Sequence, residues 1–408
     1  MATLKPFRAL RPSGETAAAV SAVPYDVVST AEARALASGN SLSFLHVSRA
    51  EIDLPDGTDP YADSVYARAA ANFEKLKREA PLTREEAPCL YVYRLRMDGH
   101  EQTGVAGCSS LEEYDQDIVR KHERTRKDKE DDRTRHMVTL KAQTGPVFLT
   151  YRNLPEIDRL VEAAKRDRPI FDFTAPDGVA HTVWRLDAEP TRRVAGAFES
   201  VPLFYIADGH HRAASAARAR DQLRSSHPRP AGSEDYNRFL TVLFPASQVR
   251  ILPYNRVVKD LGNRSPAQFL EEMRRRFRLR DSAPAAPARK GDVSLYLGGR
   301  WYGFELPRAA SGSSIETLDA HLLERHVLDG LLGIKDIRTD KRIDFVGGIR
   351  GTKELEKLVD SGSFAAAFSM YPVSVDELMK ISDEGQIMPP KSTWFEPKLR
   401  DGLLIHEI

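Results

Sequence analysis

The chain has 408 residues, 41% hydrophobic and 29% charged, with 60 Lys and Arg against 59 Asp and Glu for a formal charge of +1. That length allows two or three domains and a sizeable core, and the balanced charge excludes a global basic field that would hold nucleic acid by counterion release. Cys89 and Cys108 are the only cysteines, so neither a disulfide framework nor a zinc motif is expected. No run reaches membrane-helix length and Met1–Arg8 carries no apolar signal core, so a cytoplasmic, reduced setting without membrane contact is expected.

In chain order, Lys5 to Pro12 and Val20 to Val28 read as extended segments, the second carrying Pro24-Tyr25-Asp26. Thr30 as a cap, with Glu32 and Ala33 behind it, predicts a helix. Val65, Ala69, Phe73 and Leu76 fall at helical spacing between Tyr61 and Ala80, and Pro81 ends the run. Cys89–Leu95, Val147–Tyr151, Thr182–Leu186 and Phe239–Phe244 read as strands. The stretch from Lys121 to His136 mixes both charge signs, as a solvated helix laced with ion pairs does. Phe204–Ala207 reads as a buried strand, Asp208-Gly209 as a turn, and Ala213–Leu223 as a helix. Ser225–Ser233 and Asp281–Lys290 have loop composition, and the second follows a basic amphipathic helix over Pro266–Arg278. A hairpin over Val293–Leu306, a helix over Ile315–Leu331, a Gly-rich turn at Asp344–Gly351 and a helix from Lys353 complete the chain. Strands and helices mix without strict alternation, which favours α+β. The division expected is a phosphate-binding lobe over 1–280, a linker at 281–290 and a C-terminal α+β lobe over 291–408.

The residues richest in chemistry are Asp208-Gly209-His210-His211-Arg212, where a strand hands over to a helix. The first N–H groups of a helix lack internal partners and the dipole favours anions there. Arg212 offers a planar fork to phosphate oxygens, and His210 and His211 can donate to the same oxygens. Asp208 is read either as the helix cap or as a magnesium ligand. His122, Glu123, Arg124 and Thr125 form a compact polar cluster, but Arg126 stands where a zinc-protease motif needs its second histidine. In Met388–Lys398, Lys391-Ser392-Thr393 lacks the upstream glycines of a P-loop, yet three prolines fix this loop and its Lys and hydroxyl groups can meet phosphate or a polar substrate. Asp26 can act as a general base or cap the helix that follows. Gly347-Gly348 reads first as a turn and second as a close approach to a ligand.

Four segments together, Pro6–Pro12 with Pro24–Val28, Lys121–Thr125, Asp208–Arg212 and Met388–Lys398, resemble the prokaryotic family catalogued as domain of unknown function 1015, from the first residues to the last. The Gly-x-x-Arg element is more distantly similar to the ParB/sulfiredoxin-like fold, which includes free-serine kinases. Sulfiredoxins carry a nucleophilic cysteine where His210 stands here, so that chemistry is not expected. ParB proteins carry Gly-Glu-Arg-Arg, which Gly209-His210-His211-Arg212 departs from, and no helix-turn-helix follows. The Asp-Gly-His-His-Arg form is similar to that of the free-serine kinases.

The resemblance implies a ParB/sulfiredoxin-like core and a small-molecule kinase acting on free serine or a similar hydroxyl metabolite, with ATP or ADP and Mg2+. Its catalytic residues would be Asp26, Glu123, Asp208 and His211, with Asp208 on the metal. Gly209, His210, His211, Arg212, Arg124 and Lys391 would bind phosphate or nucleotide, and Ser392, Thr393 and Lys398 the substrate. The alternative is a nucleotide-binding regulatory module or nucleotidase that transfers nothing to a small molecule. A metal-dependent hydrolase would rest on scattered histidines alone. Alanine at His211 or Arg212 is expected to remove most turnover with the fold intact.

Overall fold

Runs rich in β-branched and aromatic residues assemble into a large mixed sheet in the computed structural model, which describes residues 1–227, 231–307 and 312–408. Contacts divide the chain into two compact units: residues 1–121, 125–249 and 397–408 form the first, and residues 122–124 and 250–396 the second.

The first unit carries the nine-stranded sheet, ordered Val119–Arg120, Phe204–Asp208, Val147–Tyr151, Arg238–Pro245, His100–Ser110, Tyr91–Met97, Ala180–Arg185 and Phe171–Thr174, with Leu4–Lys5 also on the His100–Ser110 strand. Phe204–Asp208 runs parallel to Val119–Arg120 but antiparallel to Val147–Tyr151, so the sheet is mixed in strand direction, and with its helices the fold is mixed α/β. Leu90, Val92, Leu149, Phe204, Ile206 and Leu243 build the core beneath it. The helix Asp63–Glu79 buries the predicted stripe of Val65, Ala69, Phe73 and Leu76. It packs in a further cluster with Leu10, Phe44 and Ile405. The helix at Thr30–Ala37 is capped by Ser29, one residue before the expected cap, in a reciprocal capping box with Glu32. Asp26 therefore caps nothing there.

In the second unit five strands pair antiparallel in the order Arg300–Glu305, Asp292–Leu297, Ala366–Met370, Tyr254–Val258 and Ile343–Gly347. The boundary in this part of the chain falls at Val249–Arg250 and not at 281–290. The reason is pairing: Tyr254–Val258 is a central strand of the second sheet, and the 281–290 segment lies against its hairpin, where Pro284 O accepts from Ser294 Oγ at 2.8 Å. The expected helix over Ile315–Leu331 is a 3-10 turn, a short α-helix at Asp319–Leu323 and a wider π turn at Glu324–Asp329. Leu322, Leu323, Val327 and Leu328 all reach the core through that irregularity. The loop expected at Ser225–Ser233 lies partly outside the described residues, at 228–230.

Packing explains the glycine pair at 347–348. A Cβ on Gly347 would stand 2.6 Å from the Trp394 ring, and one on Gly348 2.6 Å from Pro253 O. Gly347→Ala should therefore destabilise the second unit by about 1–3 kcal/mol, the usual cost of overpacking, read as a lower urea midpoint. An unchanged midpoint would mean that Trp394 moves aside freely.

Among the described residues no helix is long and apolar enough to cross a membrane. Cys89 and Cys108 are buried free thiols.

Candidate functional site

The Phe204–Asp208 strand is irregular between Ile206 and Asp208, and a shift of this kind re-aims side chains at a strand's end. Gly209 follows in the left-handed region at φ +96°, and the helix starts at once with His210, three residues earlier than its apolar pattern predicts. Glycine is required there for two reasons: the positive φ, and the 3.0 Å that would separate a Cβ from Arg212 Nε. Gly209, not Asp208, is the N-cap.

Asp208 has a different task. Its Oδ2 accepts from Arg212 Nη2 at 2.8 Å and its Oδ1 from Lys398 Nζ at 3.2 Å. Burial alone would raise its pKa, but Lys398 and Arg212 outweigh it and hold the carboxyl well below the ordinary carboxylate range. With a cation on each oxygen, Asp208 does not fit as a magnesium ligand in this arrangement, since a divalent ion would stand beside Lys398 and Arg212. Arg212 itself is 5% exposed and also donates through Nη1 to Pro146 O. It is thus a structural counter-ion as well as a candidate anion donor, so alanine there is expected to cost stability as well as turnover.

A second helix, Lys127–Leu140, runs alongside the His210–Ser226 helix. Arg126 N–H donates to His211 Nε2 at 3.1 Å, and Ser215 Oγ to Glu130 O at 3.2 Å. Arg218 pairs further along with Glu130 at 3.1 Å and with Asp131. Contacts that advance together along both chains make the helices parallel, so their N-termini lie at the same end. Because His211 Nε2 accepts, a neutral ring carries its proton on Nδ1.

Asp26 is exposed in the turn after Pro24, close enough to Arg212 and Asp401 to act on both electrostatically. Asp26, Asp208, Gly209, His210, His211, Arg212 and Lys398 thus all belong to the first unit. Glu123, Arg124, Lys391, Ser392 and Thr393 belong to the second. There His122 O accepts the Met388 N–H at 2.8 Å, which ties the 122–124 segment to the 388–396 loop. Ser392 is buried, and its hydroxyl donates to Pro389 O at 2.7 Å inside its own turn. Lys391 is exposed at φ +57° with Nζ 5.6 Å from the Tyr254 ring centroid.

Three residues of the first unit escaped the sequence: Arg133, Arg400 and Asp401. Arg133 is bound to Asp132 at 2.8 Å and lies over the Tyr25 ring at 4.1 Å. Arg400 donates to His181 Nε2 at 3.0 Å and pairs with Asp177. Charged residues in a polar segment read as solvated, and only the Glu396-Pro397-Lys398 rigidity hinted otherwise.

The ion pairs of Asp208 give a pH prediction. A depressed carboxyl contributes stability that is complete above the unfolded pKa, 3.8 here, and is lost as pH falls through the lower folded value. Acid titration followed by circular dichroism should show the first unit losing about 1.5–3 kcal/mol below that point, the worth of hydrogen bonds to a charged group. Asp208→Asn should remove this dependence, and a variant curve parallel to wild type would contradict it.

Sequence comparison places the chain in a family: it belongs to the one described as "Protein of unknown function (DUF1015)", whose model matches residues 4–321. Lys398, Arg400 and Asp401 lie beyond the matched stretch. No curated protein matches the chain. Among solved structures it is similar to a free serine kinase in complex with AMP, at 12% identity over 72% of this chain and 86% of that one, with a TM-score of 0.35. It is also similar to a conserved hypothetical protein from Pyrococcus furiosus, at 14% identity over 73% and 94%, TM-score 0.35. A C-terminally truncated SbnI from Staphylococcus aureus gives 10% identity over 71% and 82%, TM-score 0.36.

Proposed function

We propose that this protein is a phosphotransferase of the ParB/sulfiredoxin-like class that phosphorylates free serine, or a similar hydroxyl metabolite, from ATP or ADP. The observation that carries the reading is the helix start at His210, where His210, His211 and Arg212 follow a left-handed Gly209 and a second helix begins beside them. Phosphoryl transfer asks a protein mainly for positioning and for neutralisation of charge, which a cradle of helix N-termini, imidazoles and a guanidinium supplies. Arg212 and Lys398 are fixed by Asp208, so they meet an anion with little loss of side-chain freedom. Asp26, exposed and close to this charge, is the first unit's candidate to take the hydroxyl proton. No step is assigned to a metal on Asp208.

Phosphorus NMR of the protein with magnesium, ATP or ADP, and L-serine tests this. A serine-dependent phosphomonoester signal is expected, and its absence across both donors would reject the serine kinase. A regulatory nucleotide-binding module or nucleotidase is the second reading. It is favoured by Ser392, which is buried and whose hydroxyl proton is already donated to Pro389 O, so that it has no proton left to donate to a substrate in this arrangement. Nucleotide binding or hydrolysis without serine dependence would select it.

A further inference from the structure

Asp401 is a buried acid that the proposed transfer leaves without a task. It is 3% exposed, and its Oδ1 has no hydrogen-bond partner among the described residues. That oxygen rests on Gly145, where a Cβ would come within 2.2 Å of it. Asp401 lines a small cavity inside the first unit with Arg212, Arg133, His136, Tyr25 and Thr144. Arg212 enters the same cavity with its own buried Nε unpartnered. Burial above all, with Asp26 adding to it, pushes the Asp401 carboxyl up to about 7, against the pull of Arg212, Arg133 and Arg400. The other titratable groups facing the cavity do not change charge there. Burial and Arg133 lower His136 to about 4, and burial pushes the Tyr25 phenol well up.

We propose that Asp401 is a positioning residue for the anion cradle: it keeps its proton while an anion is bound, and after losing that proton to solvent it competes with the anion for Arg212. The proposal rests on the anion-binding reading given above. Arg212 is already shared with Asp208, so an ionised Asp401 would put a second buried carboxylate against one guanidinium. A bound anion and the Asp401 charge therefore oppose each other, and by linkage each weakens the other equally.

Sulfate is the probe, because its charge does not change across neutral pH. Calorimetry on wild type and Asp401→Asn should show wild-type affinity falling about tenfold between about pH 6 and about pH 8, while the variant keeps most of its affinity. An equal fall in the variant would place the dependence on His210 and His211 and overturn the proposal, as would no fall in wild type. Either of these leaves the phosphotransferase reading standing. No sulfate binding by either protein overturns both.

Wild type alone supplies a second measurement should the variant not fold. With carbon-13 aspartate, one carboxyl should titrate near neutrality and shift upward with sulfate, and a full set of ordinary carboxyl titrations would overturn the assignment. In urea, the folding constant of wild type relative to the variant should drop about tenfold per pH unit as pH rises from about 5 to about 6.5. The sign follows from a folded state that binds the proton more tightly than the unfolded chain.

Discussion

Arg212→Ala should lower the stability of the first unit by about 3–5 kcal/mol, the cost of breaking a buried ion pair by removing one partner. The side chain is 6% exposed, so solvent screens little of the loss. Its removal leaves Asp208 with Lys398 alone, takes the donor from Pro146 O, and strips Asp401 of the cation that most restrains its pKa. For a unit of this size, the loss corresponds to roughly 6–20 °C in melting temperature. Urea and thermal unfolding at neutral pH would measure it. An unchanged midpoint would show that Lys398 suffices as the counter-ion of Asp208. Arg212→Lys retains the charge but not the planar fork, so it should recover part of the stability and little of the anion binding.

His211→Ala should act on function with little cost to the fold. His211 is half-buried, and the substitution gives up the bond from Arg126 N–H, worth about 1 kcal/mol. In the phosphotransferase proposed above, its place at the helix start would let it donate to the transferring phosphoryl group. Loss of one preorganised donor lowers turnover by about 10²–10³, so serine-dependent product should fall by that factor while the urea midpoint stays near wild type. Turnover equal to wild type would assign His211 to joining the two parallel helices only.

The paired outcomes separate roles that the sequence placed side by side. His211 and Arg212 are neighbours in one motif, yet one is half-buried at a helix start and the other is 5% exposed in an ion network. Their residue types supply only the capacity to donate hydrogen bonds to an anion. Whether each also supports the fold depends on what reaches it from elsewhere in the chain.

The sequence by itself determined the local elements. The Val65, Ala69, Phe73 and Leu76 stripe, the Val147–Tyr151 and Phe239–Phe244 strands, and the Asp-Gly turn before a helix all follow from periodicity and backbone preference within a few residues. Only the tertiary structure decided the rest. Lys398 meets Asp208 across 190 residues of chain, which replaces a cap or a metal ligand with an ion pair. Tyr254–Val258 joins the second sheet and moves that boundary to Val249–Arg250. Glu123 and Lys391 share a unit that does not contain Asp208. Asp401 reads as one more polar residue near the chain's end until burial against Gly145 makes its charge costly, a cost that Arg212 only partly offsets. The reason is common to all of these: helical and strand periods are set by neighbours in sequence, whereas desolvation and charge pairing are set by neighbours in space.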